Sequence, residues 1–79
     1  MKVNVLFFGA TAELVGSREV ETFITETTVA ADVIAQLYAK YPKLRGRNLL
    51  VAINEQYVPD NTPLSNGDEL ALFTPVSGG

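Results

Sequence analysis

The chain contains no cysteine and no histidine. The first absence excludes disulfide frameworks, zinc knuckles, iron–sulfur clusters and thiol catalysis together. The second removes the usual general base and the commonest metal ligand. Ser17, Ser65 and Ser77 therefore have no imidazole partner for nucleophilic work. Positive charge is also scarce, with six Lys and Arg against nine Asp and Glu and a formal net charge of −3. Nucleic-acid-binding domains of this size carry the opposite balance, so no nucleic-acid partner is expected. No apolar run approaches the roughly 18 residues of a membrane span. The opening does resemble a short signal peptide, with Lys2, an apolar stretch and Ala10-Thr11-Ala12, but Asn4 interrupts it and cleavage would remove the best strand. A cytoplasmic protein without membrane attachment is expected.

What is present suits one small domain. Seventy-nine residues with 47% hydrophobic and 19% charged content are globular in composition and too few for two domains. Lys2 to Phe8 reads as a strand ending at Gly9, with Val3, Val5 and Phe7 on one face and Asn4, Leu6 and Phe8 on the other. Gly9 to Ser17 reads as a connection. Glu19 to Thr25 is a second strand of β-branched and aromatic residues, although Val20 and Phe23 differ in parity, which calls for a bulge or an outward Phe23. Thr27 or Thr28 is placed to cap a helix from Val29 to about Lys40 or Tyr41, and Pro42 ends it. Val29, Val33, Leu37 and Tyr41 form its apolar stripe. The cations Lys40, Lys43, Arg45 and Arg47 gather at its negative end, as a solvated helix terminus or a dock for an acidic partner.

Asn48 to Ile53 reads as a buried strand, Asn54-Glu55-Gln56 as a turn and Tyr57-Val58 as a short strand. Asn66-Gly67 is tight-turn chemistry before a last strand, Glu69 to Phe73. This β-β-α-β-β order predicts an α+β fold with one mixed sheet over one main helix. The helix covers a single face. If Val3, Val5, Phe7, Leu70 and Leu72 meet the helix, then Leu6, Phe8, Ala71 and Phe73 lie on the open face as a contact patch.

The domain spans residues 1–73, and residues 74–79 are expected to form a flexible tail, Thr74-Pro75-Val76-Ser77-Gly78-Gly79. Six extended residues reach about 20 Å, and glycine lacks the Cβ that would jam in a narrow channel. A free α-carboxylate has a reference pKa of about 3.5, so it is ionised at neutral pH. It can attack an electrophile supplied by a partner, such as the α-phosphate of ATP. A frayed end is the plain alternative.

These residues carry a resemblance that covers nearly the whole chain. Val5-Leu6-Phe7-Phe8 with Glu13-Leu14-Val15-Gly16, then Ala52-Ile53-Asn54, Asn66-Gly67-Asp68-Glu69 and Pro75-Val76-Ser77-Gly78-Gly79 resemble the molybdopterin synthase small-subunit family (MoaD), ubiquitin-like sulfur carriers of β-grasp fold. The resemblance implies that a MoeB-like adenylating enzyme uses ATP and magnesium to join AMP to Gly79, and that a sulfur donor system converts the adenylate to a thiocarboxylate. Residues Pro75, Val76, Ser77, Gly78 and Gly79 would then insert into a MoaE-like large subunit and deliver sulfur to cyclic pyranopterin monophosphate, within a heterotetramer. The carrier itself would bind no cofactor and no metal and supply no catalytic side chain. Phe8, Tyr57 and Phe73 match the family's partner-contacting positions. Ala12 stands where many members have Arg, and Thr74-Pro75 replaces the usual Pro-Pro. The alternatives are a ThiS-type carrier for thiamine thiazole synthesis, a ubiquitin-like protein modifier and a plain interaction module.

Overall fold

The computed structural model describes residues 1–46 and 49–74. Strand β1 (Lys2–Phe7) is followed by a short helix α1 (Ala10–Val15), strand β2 (Glu19–Phe23) and the main helix α2 (Ala30–Lys40). A 3₁₀ turn (Pro42–Leu44) leads to β3 (Leu50–Ile53), β4 (Gln56–Tyr57) and β5 (Glu69–Phe73). The sheet order is β2-β1-β5-β3-β4. The central pair β1–β5 is parallel and the other three pairings are antiparallel. This is the mixed sheet over one main helix that the element order predicts.

Period-2 alternation sets which face is buried. Val3, Val5 and Phe7 of β1, Leu70 and Leu72 of β5, and Val51 and Ile53 of β3 meet Ala30, Val33 and Leu37 of α2 in one core. Leu44 and Leu64 close its ends. Tyr41 stacks edge-on against Phe7 at 6.4 Å between ring centroids, and Pro42, at the start of the 3₁₀ turn, ends α2 where its sequence position predicts.

The segment Gly9 to Ser17 is not the plain connection expected. Ala10–Val15 winds into α1, closed by Gly16 in the left-handed conformation at φ 81°, its N–H donating to the Ala12 carbonyl. A six-residue helix is too short to hold itself together. Thr11 anchors it: the side chain is fully buried, and Oγ1 lies 2.6 Å from the Phe8 carbonyl and 3.1 Å from that of Leu72.

The expected threonine cap of α2 is also corrected. Val29 occupies the N-cap position, and its N–H donates to Asp32 Oδ2 at 2.9 Å. Thr28 Oγ1 instead accepts the Thr25 N–H at 2.9 Å, so the hydroxyl fixes the approach to the helix rather than its first turn. Strand β2 stops at Phe23, and its parity conflict is resolved by an outward Phe23, 76% exposed. Strand β1 stops at Phe7, although the Phe8 N–H still donates to the Leu72 carbonyl at 3.0 Å.

Two turns at one end of the sheet share hydrogen bonds. Asn54 and Glu55 both have positive φ, 50° and 71°, the conformation of a two-residue hairpin turn. Asn54 Nδ2 donates to Asp68 Oδ1 at 3.0 Å, Asn54 Oδ1 accepts the Glu69 N–H at 3.1 Å, and Asp68 Oδ2 accepts the Ser65 N–H at 2.7 Å. The Asn54 and Asn66–Glu69 motifs thus form one structural clip. Asn54→Gly keeps the positive φ and loses both side-chain bonds, so urea denaturation is expected to show a loss of about 1–2 kcal/mol. Asn54→Val, strained at φ 50°, is expected to lose more.

Candidate functional site

The face of the sheet opposite α2 is open, and strand register gives its layout. Its widest row runs Glu19, Leu6, Ala71, Ala52 and Tyr57 across β2, β1, β5, β3 and β4. A neighbouring row pairs Phe73 with Leu50. Phe8 extends it, because its N–H bonds to Leu72 and carries the parallel register one residue past β1. The row on the other side holds Glu21, Asn4 and Glu69. The face is therefore apolar toward the end where β1 and β5 finish, and polar toward the end where they begin.

Phe8 is 51% exposed and Tyr57 72% exposed, while Phe73 is half-buried. Tyr57 packs edge-to-face on Phe73 with ring centroids 5.5 Å apart, so the two rings hold each other in place. The structure thus unites all three aromatic residues expected at the partner interface. Leu50, 38% exposed, joins them. Sequence reasoning missed it, although the parity that buries Val51 and Ile53 places Leu50 on the opposite face. Exposed aromatic and aliphatic side chains grouped at one sheet end are the composition of an interface core.

Thr74 comes directly after Phe73, so the chain leaves the sheet from the edge of this patch. The tail residues Pro75, Val76, Ser77, Gly78 and Gly79 lie outside the described residues. So do Arg47 and Asn48. Behind the exit point, Thr11 binds the Leu72 carbonyl and fixes the last turn of β5 backbone from the helix side. Among the described residues no group of three His, Cys, Asp or Glu side chains is placed to hold a metal ion. No described helix is long and apolar enough to cross a membrane. A shallow cleft of about 660 Å³ beside Phe8, floored by Leu6 and Ala12 and rimmed by Glu13, Arg18 and Glu19, widens the patch toward α1. The exposed apolar patch is suited to bind a surface beside the point where the chain leaves the sheet.

Phe73→Ala is expected to weaken binding to a partner by about 1–3 kcal/mol, because an interface anchor lost from a patch centre costs that much. Calorimetric titration measures it, and an unchanged dissociation constant would return Phe73 to ordinary exposed surface.

Comparison with known proteins adds five findings. The model of the ThiS family matches residues 5–79. The molybdopterin synthase sulfur carrier subunit of Mycobacterium tuberculosis is 39% identical over 83 residues, covering 100% of this chain and 99% of that protein. Among solved structures, a putative molybdopterin converting factor subunit 1 from Pyrococcus furiosus superposes with a TM-score of 0.89 at 26% identity, covering 96% of this chain and 99% of that one. Small archaeal modifier protein 1 of Haloferax volcanii gives 0.85 at 26% identity over 95% and 98%. A chain of the complex of subunits 1 and 2 of the Helicobacter pylori molybdopterin-converting factor gives 0.72 at 27% identity over the full length of both chains.

Proposed function

The chain belongs to the ThiS family, and from that premise we propose that it is the sulfur carrier subunit of a molybdopterin synthase, working in molybdenum cofactor biosynthesis. The observation that supports this most is the full-length likeness to proteins of that name, joined to an aromatic patch at the root of the segment that ends in Gly79.

In this reading the Gly79 carboxylate attacks the α-phosphate of ATP on an adenylating enzyme, and pyrophosphate leaves. Hydrosulfide released by the sulfur donor then attacks the acyl carbon and AMP leaves, giving a thiocarboxylate. The large synthase subunit receives the tail, Pro75 to Gly79, and the thiocarboxylate sulfur is passed to cyclic pyranopterin monophosphate. The carrier's own contribution is binding and delivery. Phe8, Tyr57 and Phe73 dock it on each partner in turn. Two glycines without Cβ atoms let the reactive end approach the partner's catalytic groups closely. ATP and magnesium act on the partner enzyme. The paired subunits in the Helicobacter pylori complex support a large-subunit partner; the adenylating enzyme, the sulfur donor and a cytoplasmic setting complete the proposal.

Incubation with ATP, the cognate adenylating enzyme and a sulfur source tests it by intact mass. Exchange of one oxygen for sulfur at Gly79 is the expected result. The archaeal modifier match favours one second reading, attachment to lysines, which predicts a ladder of conjugates instead. Copurification with a thiazole synthase rather than a large synthase subunit would move the carrier to the thiamine pathway.

A further inference from the structure

Strand β2 forms one edge of the sheet, and β1 is its only neighbour among the described residues. The Phe7 N–H donates to the Arg18 carbonyl at 2.9 Å, and the Ile24 N–H to that of Met1 at 2.8 Å. Antiparallel ladders alternate, so Val20 and Thr22 also turn their backbone groups toward β1. Glu19, Glu21 and Phe23 turn theirs outward, and Thr25 continues that series. The edge is closed at both ends of it. Ser17 Oγ donates to the Glu19 carbonyl at 2.9 Å and accepts the Glu19 N–H at 3.4 Å. The Thr25 N–H donates to Thr28 Oγ1 at 2.9 Å, and the Thr25 carbonyl accepts the Thr28 N–H at 3.2 Å. Between these closures the N–H and C=O of Glu21 and Phe23 have no hydrogen-bond partner among the described residues. At this opening stands the Phe23 side chain, 76% exposed.

An open window of two alternate residues is self-complementary. We propose that β2 pairs with β2 of a second copy of this chain, antiparallel about a two-fold axis between the two Thr22 residues. In that register Glu21 of each copy lies opposite Phe23 of the other. Each such pair exchanges two hydrogen bonds, and the four together satisfy every open group on both edges. On the open face the two Phe23 rings are diagonal neighbours, within aromatic reach, and on the helix side the two Thr22 side chains form a cross-strand pair. Against the pairing stand a net charge of −3 on each chain and the two Glu21 carboxylates, also diagonal neighbours. Lys2, 3.6 Å from Glu21, and Lys40, which shares a groove with it, offset part of that repulsion. The result is a weak dimer that closes on itself. The isologous contact uses β2 on both sides, and β4, at the far edge, is only two residues long. Phe73 is two strands away on β5 and Tyr57 four away on β4. The aromatic patch therefore stays open in the dimer, and the inference does not depend on the carrier function proposed above.

Sedimentation equilibrium of the full-length chain up to about 1 mM, the range of weak association, tests this together with NMR on a mixture of labelled and unlabelled chains. A concentration-dependent dimer is expected, tightening as salt rises because screening weakens the repulsion between like charges. The central Thr22 pair is not hydrogen-bonded, which brings its Cα atoms to about 4.5 Å. An intermolecular Hα–Hα Overhauser contact between the two Thr22 residues is therefore expected. Glu21→Pro removes an outward N–H without touching the β1 ladder, a change that edge strands tolerate. Two of the four intermolecular bonds go with it, and association is expected to fall about tenfold or more. Glu21→Gln keeps the backbone and removes the diagonal repulsion, so association is expected to rise about twofold. Phe23→Ala is expected to weaken it about fivefold with the melting temperature unchanged. A monomer at every concentration overturns the pairing. A dimer that keeps its affinity in both Glu21→Pro and Phe23→Ala overturns it too, since its contact would lie elsewhere, as does a dimer without the Thr22 contact.

Discussion

Removal of Gly79, or addition of one residue after it, is expected to reduce thiolation below detection while the melting temperature stays unchanged. The size of the effect follows from the chemistry. The reaction has one acyl carbon, and the partner's catalytic groups are fixed relative to the docked sheet. Reactive atoms must meet within roughly 3–3.5 Å, and a misplacement of about 1 Å already costs on the order of a hundredfold in rate. One residue shifts the carboxylate by roughly 3.3–3.6 Å. The folded domain is expected to be insensitive to the change because, among the described residues, β5 ends at Phe73 and the buried set at Leu72. Gly79→Ala is a milder version, expected to slow adenylation without abolishing it, since it keeps the length and adds only a Cβ. Intact-mass measurement of the thiocarboxylate decides all three, and normal thiolation of the shortened chain would remove Gly79 from the mechanism.

The sheet and its open face were legible because strand parity needs only a few residues to declare itself. Val3, Val5 and Phe7 against Leu6 and Phe8, and Leu70 and Leu72 against Phe73, carry enough alternation to identify both faces. Elements that depend on distant partners were not legible. Helix α1 has two glycines at its ends and six residues between them, too few for a helical period to register. Its anchor is a hydroxyl bonded to a carbonyl 61 residues away. The capping of α2 failed for a related reason: Thr28 has the right chemistry, but the turn at Thr25 uses its hydroxyl first, and Asp32 fills the gap from inside the helix. Tyr57 sits on a two-residue strand, where alternation says nothing, and only the family resemblance marked it. The ring contact with Phe73 supplies the physical reason for that position. Of the ending, the residues alone left a reactive carboxylate and a frayed end both open, and the proposal of what acts on it comes from the resemblance.

Leu72→Ala and Phe73→Ala, adjacent on β5, are expected to fail in different ways, and the contrast separates holding the fold from docking. Leu72 is fully buried between Phe7 of β1 and Val51 of β3. Truncation there removes the transfer energy of its buried carbons and leaves a cavity the tight core cannot fully close, at about 2–5 kcal/mol. A domain of 79 residues has a total stability of only ~4–12 kcal/mol at roughly 0.05–0.15 kcal/mol per residue. The variant is therefore expected to lose a sixth or more of its stability, with a lower urea midpoint. The damage also reaches the tail's root, because the Leu72 carbonyl accepts the Phe8 N–H and lies 3.1 Å from Thr11 Oγ1. Phe73 faces the other way with its ring against Tyr57, so its loss leaves the core intact and shifts the urea midpoint little. Partner affinity should respond in the reverse order: Phe73→Ala weakens it with the fold preserved, whereas Leu72→Ala, measured well below its unfolding midpoint, retains most of it. Equal destabilisation by the two substitutions would mean that Phe73 is a core residue and that the open face is not the docking surface.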